Sequence, residues 1–173
     1  MVDANQSVST INWLVQFTNQ HAIRLIIEPG SVPPAKKIAV ANFNGLYLIT
    51  PNEDELPVLC SEEATTTEEQ VKELLGRGVQ NILLHKGKAG SALYKKNKTL
   101  QLSAPEANVL DCTGTGDGSV FGFIFSKFNG NDNLNSLRTA HTVSVEILQL
   151  NGAIATHFTR DKLLQLVSKY YSE

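Results

Sequence analysis

Residues 111–122 read Asp-Cys-Thr-Gly-Thr-Gly-Asp-Gly-Ser-Val-Phe-Gly, and this stretch decides how the chain is interpreted. Gly114, Gly116 and Gly118 leave little side-chain bulk at alternate positions, and an apolar run begins at Val120. A glycine-rich turn that opens a helix presents free N–H groups and the positive end of the helix dipole at one point, and both favour a bound anion. The pattern therefore predicts an anion-binding turn at the start of a buried helix.

Asp117 lies inside this turn, where its carboxylate would repel a bound phosphate unless it has another task. Accepting a proton from an attacking hydroxyl is such a task. The alternative is a tight turn whose aspartate caps the helix, and the residues by themselves leave both interpretations open. Two better-known phosphate motifs do not fit. Gly-x-Gly-x-x-Gly fails at Ser119 and Phe121, and no Gly-Lys-Ser/Thr follows. A dinucleotide oxidoreductase and a P-loop nucleotidase are therefore poor alternatives.

The composition indicates an ordinary globular protein. With 173 residues, 42% of them hydrophobic, the chain can bury one core. The net charge of −2 and the interspersed acids and bases show no nucleic-acid face and no membrane-surface patch. No apolar run approaches a membrane span, and polar residues rather than a signal peptide follow Met1. We expect a cytoplasmic protein with reduced Cys60 and Cys112 and with neither nucleic acid nor membrane as a partner.

Hydrophobic spacing predicts strands and helices in alternation. Strands are expected over 23–27, 46–50 and 81–84, and helices over 7–20, 33–40, 68–76, 117–128, 132–150 and 160–171. Ser91–Tyr94 and Thr99–Leu102 alternate as a hairpin does. This order predicts an α/β fold with a mostly parallel sheet and helices on both of its faces. Ligands of such sheets lie beyond the carboxyl ends of the strands, so the candidate site residues should gather there.

The 111–122 stretch resembles the second signature of the ribokinase-like sugar kinases, the PfkB carbohydrate kinase family. That signature, Asp-Thr-x-Gly-Ala-Gly-Asp-x-Phe-x-x-Gly, is matched at Asp111, Gly114, Gly116, Asp117 and Gly122. The chain departs from it at Cys112, Thr115 and Ser119. The resemblance implies a ribokinase-like fold and ATP-dependent phosphoryl transfer to an alcohol group of a sugar or nucleoside. It implies Asp117 as the catalytic base, with Gly114, Thr115 and Gly116 around the transferred group.

A second motif lies just after a predicted strand, in residues 50–56. Asn52 and Glu55 form Asn-x-x-Glu, in which the amide can bond a phosphate and the carboxylate can hold a water on Mg²⁺. The alternative is a pair of ordinary polar residues at a helix N-terminus. The segment resembles the family's Pro-Asn-x-x-Glu motif, and this resemblance implies ATP and Mg²⁺ as cofactors.

Residues 84–92 resemble the family's Thr-Leu-Gly-x-x-Gly segment, which lies beside the nucleotide. Gly87 and Gly90 match, whereas His85 and Lys86 replace the usual Thr and Leu. The resemblance implies nucleotide contacts for all four residues, although a solvated loop explains Lys86 equally well. His141 falls where the family presents a polar residue to adenine. The alternative for His141 is a helix histidine whose ring is satisfied by the protein.

Residues 151–156 resemble the loop that closes the family's monovalent-cation site. The resemblance implies a K⁺ ion held in part by backbone carbonyls, with ligands from Asp111, Thr113, Ile147, Leu150, Gly152 and Thr156. Main-chain ligation tolerates any side chain, so the sequence tests this site poorly. Residues 3–7 and 28–37 resemble segments of the pseudouridine kinase-like branch of the family.

The resemblance runs from Asp3 to about Leu166 and corresponds to the C-terminal, nucleotide-side half of a family member. We therefore expect residues 1–173 to form a single domain, with the N-terminal part and the lid missing and with weak or no activity alone. An exposed sheet edge would favour homo-oligomers. The alternative function is that of a non-catalytic nucleotide-binding domain or degenerate kinase fragment.

Overall fold

The structure, a computed structural model, describes residues 1–150, 152 and 158–171. The chain divides into two compact units. The first comprises Met1–Lys86 and Ala92–Thr99, and the second comprises Gly87–Ser91 and Leu100–Glu173. The prediction of a single domain over 1–173 is not tested by this division and stays a prediction. No helix in the described part of the chain has the length and apolar character that crossing a bilayer requires.

The first unit alternates strands with helices. Strands β1 (Val2–Asp3), β2 (Ile26–Glu28), β3 (Leu48–Ile49) and β4 (Ile82–His85) pair in parallel in this order. The helices between them are α1 (Val8–Gln20), α2 (Val32–Ile38), α3 (Glu55–Val58) and α4 (Thr67–Gly76). The sheet continues in sequence order through β5 (Ser91–Lys95) and β6 (Lys98–Leu102), which a two-residue turn joins as a hairpin. The predicted α/β fold and its hairpin are confirmed.

The strands are short and apolar because both faces of the sheet are buried. Ile27, Ile49 and Ile82 lie in register on one face and pack in a core with side chains of α1 to α4. Ile26 and Leu48, in register on the opposite face, are also buried. Burial on both sides is typical of parallel sheets and explains why these strands read as continuous apolar runs rather than as alternating ones.

Several element boundaries differ from the predicted ones. The strand expected from residue 23 begins at Ile26, because Ile23 is half exposed and the preceding helix does not end until Gln20. The helix expected to reach Val40 ends at Ile38, and Val40 is largely exposed. These two elements are therefore shorter than the spacing of apolar residues predicts, because the apolar residues at their expected ends are exposed.

Polar side chains fix the starts of the helices in the first unit. The Ser7 hydroxyl accepts a hydrogen bond of 3.1 Å from the Thr10 N–H at the start of α1. At the start of α4 a capping box is present: Thr66 Oγ1 accepts from Glu69 N (3.3 Å), and Glu69 Oε2 accepts from Thr66 N (2.9 Å). Both caps satisfy backbone donors that the helices leave unbonded, and the Thr66–Glu69 pair does so reciprocally.

Arg77 joins three loops of the first unit. Its guanidinium donates to the carbonyls of Leu59 (2.8 Å), Ala41 (3.0 Å) and Ala39, and it lies 4.5 Å from the centre of the Phe43 ring. A planar group with several fixed donors can satisfy carbonyls that point in different directions. Arg77 thus connects the end of α2 to the end of α3.

The second unit consists mainly of α5 (Thr115–Phe128), α6 (Asn133–Leu148) and α7 (Arg160–Tyr171), with a short 3₁₀ turn at Gly87–Ala89. Helices α5 and α6 approach closely at two glycines. A Cβ on Gly122 would lie 2.8 Å from the Thr139 carbonyl oxygen, and one on Gly118 would lie 2.2 Å from Ile147 Cδ1. These glycines therefore set the distance between the two helices.

We expect Gly122→Ala to destabilise the protein by about 1–3 kcal/mol, because the added methyl group meets the backbone of α6 and the helices must separate. Gly76→Ala is the matched control: Gly76 is also helical, and nothing lies within 4 Å of its absent Cβ. This control should be neutral or stabilising. Chemical denaturation of the three proteins measures the difference, and equal stability of Gly122→Ala and wild type would contradict the close packing.

Candidate active site

The turn before α5 leaves the helix without a side-chain cap. Gly114 occupies the N-cap position with φ of 78°, in the left-handed region that favours glycine, and no side chain in the described part of the protein caps the helix. Asp132, in contrast, caps α6 by accepting from Asn135 N at 2.8 Å. The first regular helical bond of α5 runs from Gly118 N to Gly114 O (2.9 Å). Among the described residues nothing accepts from the amides of Gly116 and Asp117, which leaves both for an anion.

Gly116 is a glycine that the folded protein does not need for packing. It is helical, and nothing lies within 4 Å of the position its Cβ would take. Alanine would be more favourable there by up to about 1 kcal/mol. The absent side chain therefore leaves room for a ligand to approach the uncapped end of α5.

The side chain of Thr115 stabilises the turn by a hydrogen bond within it. Its hydroxyl donates to the Cys112 carbonyl at 2.8 Å, and its own N–H bonds the same carbonyl at 3.2 Å. The branched side chain that departs from the family signature is in this way directed back onto the turn.

Asp117 is the third residue of α5 and is exposed, as expected of a group at the open end of the helix. It does not act as the helix cap, because Gly114 occupies that position and no side chain caps the helix. No hydrogen-bond donor in the described part of the chain engages its carboxylate. The capping interpretation of Asp117 is therefore wrong, and its carboxylate is available to an incoming group.

Asp111 connects the turn to the segment after α6. Its Oδ1 accepts from Thr113 N (2.9 Å) and Thr113 Oγ1 (2.7 Å), and its Oδ2 accepts from Gly152 N (3.1 Å). The bonds from Thr113, followed by the one from Gly152, hold the pKa of Asp111 below its usual value. The Leu148 carbonyl accepts from the Leu110 and Asp111 amides at 2.8 and 3.4 Å. The carboxylate is in this way fixed as an anion.

These contacts bring together most of the residues predicted to surround K⁺. Leu150 N bonds the Ile147 carbonyl (2.9 Å) beside the segment that Asp111 fixes, and Gly152 is bonded directly to Asp111. Thr156 lies outside the described residues. The oxygen atoms of these residues belong to a carboxylate, a hydroxyl and backbone carbonyls, which is the ligand chemistry of an alkali cation. The structure describes no group of three or more His, Cys, Asp or Glu side chains that could hold another metal. K⁺ binding stays a prediction.

In the first unit, Asn52 and Glu55 form a reciprocal cap. Asn52 Oδ1 accepts from Asp54 N and Glu55 N, both at 2.9 Å, and Glu55 Oε2 accepts from Asn52 N at 3.0 Å. Glu55 is 3% exposed, and this burial raises the pKa of its carboxyl group. The interpretation of Asn52 and Glu55 as polar residues at a helix N-terminus is therefore correct. Glu55 Oε1 has no partner among the described residues, so the pair also fits a carboxylate that holds Mg²⁺ through water.

His85 lies beside this cap. Asn52, beyond the end of β3, forms an isolated parallel bridge with His85, the last residue of β4, and His85 N donates to the Pro51 carbonyl at 2.9 Å. Lys86, which follows, is partly buried. Asn52 and Glu55 thus lie beyond the carboxyl end of β3, as expected, and His85 lies at the carboxyl end of β4.

Two glycines shape the turn after β4. Gly87 and Gly90 have φ of 52° and 92°, and Gly90 N bonds the Gly87 carbonyl at 3.0 Å. A Cβ on Gly90 would lie 2.1 Å from the Leu102 carbonyl oxygen, whereas Gly87 has open space around it. Gly90 is therefore required by packing, and Gly87 by its backbone conformation.

His141 lies in α6 and is 4% exposed. Its Nε2 is 2.7 Å from Ser91 Oγ, and its Nδ1 is 2.9 Å from the Tyr171 hydroxyl. Burial lowers the pKa of the imidazole to about 4, although a bond to the Ser103 backbone acts in the opposite direction. The structure thus gives His141 the protein partners that its alternative interpretation requires. An adenine contact stays a prediction.

Ser91 and Tyr171 were not identified from the sequence. They lie 50 and 30 residues from His141, and no local pattern connects positions so far apart. Asn52, Glu55, His85 and Lys86 belong to the first unit, whereas Gly87, Gly90, His141 and the Gly114–Asp117 turn belong to the second. The convergence of these groups at one nucleotide site stays a prediction.

Comparison with known proteins supports the sequence motifs. A model of the pfkB family carbohydrate kinases matches residues 5–159. Ribokinase from Arabidopsis thaliana is 32% identical over 131 residues, which are 72% of this chain and 34% of that enzyme. D-tagatose-1-phosphate kinase from Bacillus licheniformis is 34% identical over 82 residues, 45% of this chain and 27% of the enzyme.

Solved structures of the same class have the same fold. The structure of Arabidopsis thaliana ribokinase complexed with ribose and ATP superposes with a TM-score of 0.81 at 25% identity, over 95% of this chain and 54% of that one. Ribokinase from Thermotoga maritima superposes with a TM-score of 0.74 at 18% identity, over 95% and 60%. The ribokinase-like fold is confirmed, and the chain spans little more than half of these structures.

The buried Glu55 carboxyl predicts a pH dependence of stability. Because its folded-state pKa lies above the ordinary value of 4.5, the folded protein binds this proton more tightly than the unfolded chain does. This stabilisation of the folded state is present below the ordinary value of 4.5 and is lost as the pH rises through the raised pKa of Glu55. Glu55→Gln keeps an acceptor for Asn52 N but cannot ionise. Its stability relative to wild type should therefore increase from pH 4 to pH 7.

Denaturation at a series of pH values measures this difference. The control is Glu53→Gln, since Glu53 is exposed and belongs to the same turn. A pH-independent difference between Glu55→Gln and wild type would show that burial does not penalise the carboxylate.

Gly116→Ala separates folding from ligand binding. We expect its stability to equal or exceed that of wild type by up to about 1 kcal/mol, because alanine favours the helix and meets no neighbour. Binding of ATP–Mg²⁺ should weaken, because the methyl group lies beside the uncapped amides. Thermal denaturation and calorimetric titration measure the two effects, with Gly76→Ala as a control that should leave binding unchanged. Unaltered affinity in Gly116→Ala would remove the turn from the ligand site.

Proposed function

Since the chain belongs to the pfkB family of carbohydrate kinases, we propose that it is an ATP-dependent kinase module that phosphorylates an alcohol group of a sugar or nucleoside. The observation that carries this proposal is the uncapped N-terminus of α5, where two amides and the Asp117 carboxylate in the first turn have no hydrogen-bond partner among the residues that the structure describes. An anion-binding group and a candidate base lie within one helical turn. A phosphoryl transfer site needs both.

In the proposed reaction, Asp117 accepts the proton of the acceptor hydroxyl as that oxygen attacks the γ-phosphorus of ATP. The bond between the γ-phosphorus and the bridging oxygen breaks, and ADP leaves with that oxygen. The amides of the Gly114–Asp117 turn stabilise the charge on the transferred group, and they do so without rearranging because the helix already orients them. Mg²⁺, when bound, would neutralise phosphate charge.

Asn52 and Glu55 would hold the Mg²⁺ and its phosphates, since the cap fixes both side chains and leaves Glu55 Oε1 unbonded. We further propose nucleotide contacts for the Gly87–Gly90 turn, with His85 and Lys86 before it, and K⁺ at the segment that Asp111 fixes. Pseudouridine is the acceptor that residues 3–7 and 28–37 favour. Self-association would use an exposed edge of the sheet, such as β1. We place the protein in the cytoplasm.

The second candidate is a nucleotide-binding domain without phosphotransfer. The departures from the family motifs at His85 and Thr115 favour it, since both residues lie in segments proposed to contact the nucleotide. Binding of ATP–Mg²⁺ without consumption in the presence of pseudouridine, ribose or fructose would support this candidate. Failure to bind ATP at any concentration tested would contradict both.

Asp117→Asn should reduce turnover by about a hundred- to ten-thousandfold, because asparagine cannot accept the hydroxyl proton. The affinity for ATP should change little, since the amides of the turn are retained. Steady-state kinetics on any preparation that phosphorylates an acceptor provides the measurement. The matched control is Asp161→Asn, because Asp161 is exposed in the first turn of α7. Equal turnover in both variants would remove Asp117 from the mechanism.

A further inference from the structure

Three buried or half-buried side chains of the second unit, those of Ser91, His141 and Tyr171, are joined in a chain by hydrogen bonds. Ser91 is 1% exposed and His141 is 4% exposed, and their side chains meet at 2.7 Å. Tyr171, partly buried, meets the other ring nitrogen of His141 at 2.9 Å. The chain thus connects the first residue of β5 to α6 and to the end of α7.

The donor and acceptor roles of these three side chains are compatible with one another. A neutral imidazole donates through one nitrogen and accepts at the other, and each hydroxyl can take either role. Burial keeps His141 neutral, so one nitrogen is an acceptor in every tautomer. Successive bonds in a buried network polarise each other, so the loss of one hydroxyl weakens the remaining bonds of the His141 ring, which the Ser103 backbone also bonds. Removing either hydroxyl at the ends should therefore loosen the whole chain.

The end of the chain at Ser91 adjoins the glycine turn. Ser91 directly follows Gly90, whose amide bonds the Gly87 carbonyl and whose Cα packs against the Leu102 carbonyl. A displacement of the Ser91 side chain would consequently be passed to residues 87–90 through one peptide bond. Tyr171, at the other end of the chain, is the last residue of α7.

We propose that Ser91, His141 and Tyr171 form a positioning relay through which α7 fixes the Gly87–Gly90 turn in the conformation that receives the nucleotide. The proposal rests on the proposed function, because it assigns the turn to ATP. Tyr171 is a positioning residue, since it acts through His141 and Ser91. The structure offers a matched comparison in Tyr170, whose hydroxyl donates to Glu146 Oε1 at 2.7 Å and accepts from Gln149 at 3.3 Å.

The test compares Tyr171→Phe with Tyr170→Phe. Each removes one hydroxyl from α7, but only the first breaks the relay. We expect Tyr171→Phe to weaken ATP–Mg²⁺ affinity, or raise the KM for ATP, by about five- to tenfold with turnover within twofold of wild type. Amide hydrogen exchange in residues 87–91 should accelerate in Tyr171→Phe and not in Tyr170→Phe. Equal exchange and affinity in the two variants would overturn the relay.

Ser91→Ala and the double variant with Tyr171→Phe distinguish a relay from two independent sites. Independent sites would multiply their effects on affinity, whereas a relay broken at one end loses little more when the other end is removed. Multiplied effects would overturn the relay. Faster amide hydrogen exchange at residues 87–91 in Tyr171→Phe is by itself evidence that Tyr171 is linked to the Gly87–Gly90 turn. If the wild-type chain then binds no ATP, the proposed function fails, and the structural link between α7 and the turn stands.

Discussion

The close approach of α5 to α6 is the constraint on which the candidate site depends. At Gly122 the backbone of α6 lies so near that a single methyl group would collide with it. Because the two helices are packed at this distance, the uncapped start of α5 is held by contacts with α6 as well as by its own turn. The Ser144 hydroxyl, for example, bonds the Thr115 carbonyl at 3.3 Å. An anion-binding group preorganised in this way needs no rearrangement when charge develops.

Structural and functional interpretations of a residue need not exclude each other. Asn52 and Glu55 form an ordinary helix cap, yet the Glu55 carboxylate in it is buried, this burial raises its pKa, and one of its oxygens has no partner among the described residues. Asp117 shows the opposite case, because the capping role that its sequence suggests is taken by Gly114. The distinction could be drawn only from the atoms that each side chain contacts.

Several residues that stabilise the two units could not be identified from the sequence. Arg77 is one of many charged residues in the chain, and nothing in its neighbourhood predicts that it satisfies three carbonyls at 18, 36 and 38 residues' distance. The contact of His141 with Ser91 and Tyr171 is of the same kind. Such partners meet only after strands and helices have packed, so their pairing depends on the fold and not on spacing.

The sequence by itself determined the order of strands and helices, the glycine turn before α5, the Thr66–Glu69 cap and the family to which the chain belongs. These features depend on interactions within a few residues, such as hydrophobic periodicity, backbone conformations open to glycine and i to i+3 hydrogen bonds. Only the tertiary structure decided where β2 begins and α2 ends, that Gly116 has open space whereas Gly122 has none, and that His141 is buried. Those properties depend on which distant atoms occupy the surrounding space, and no local pattern in the chain encodes them.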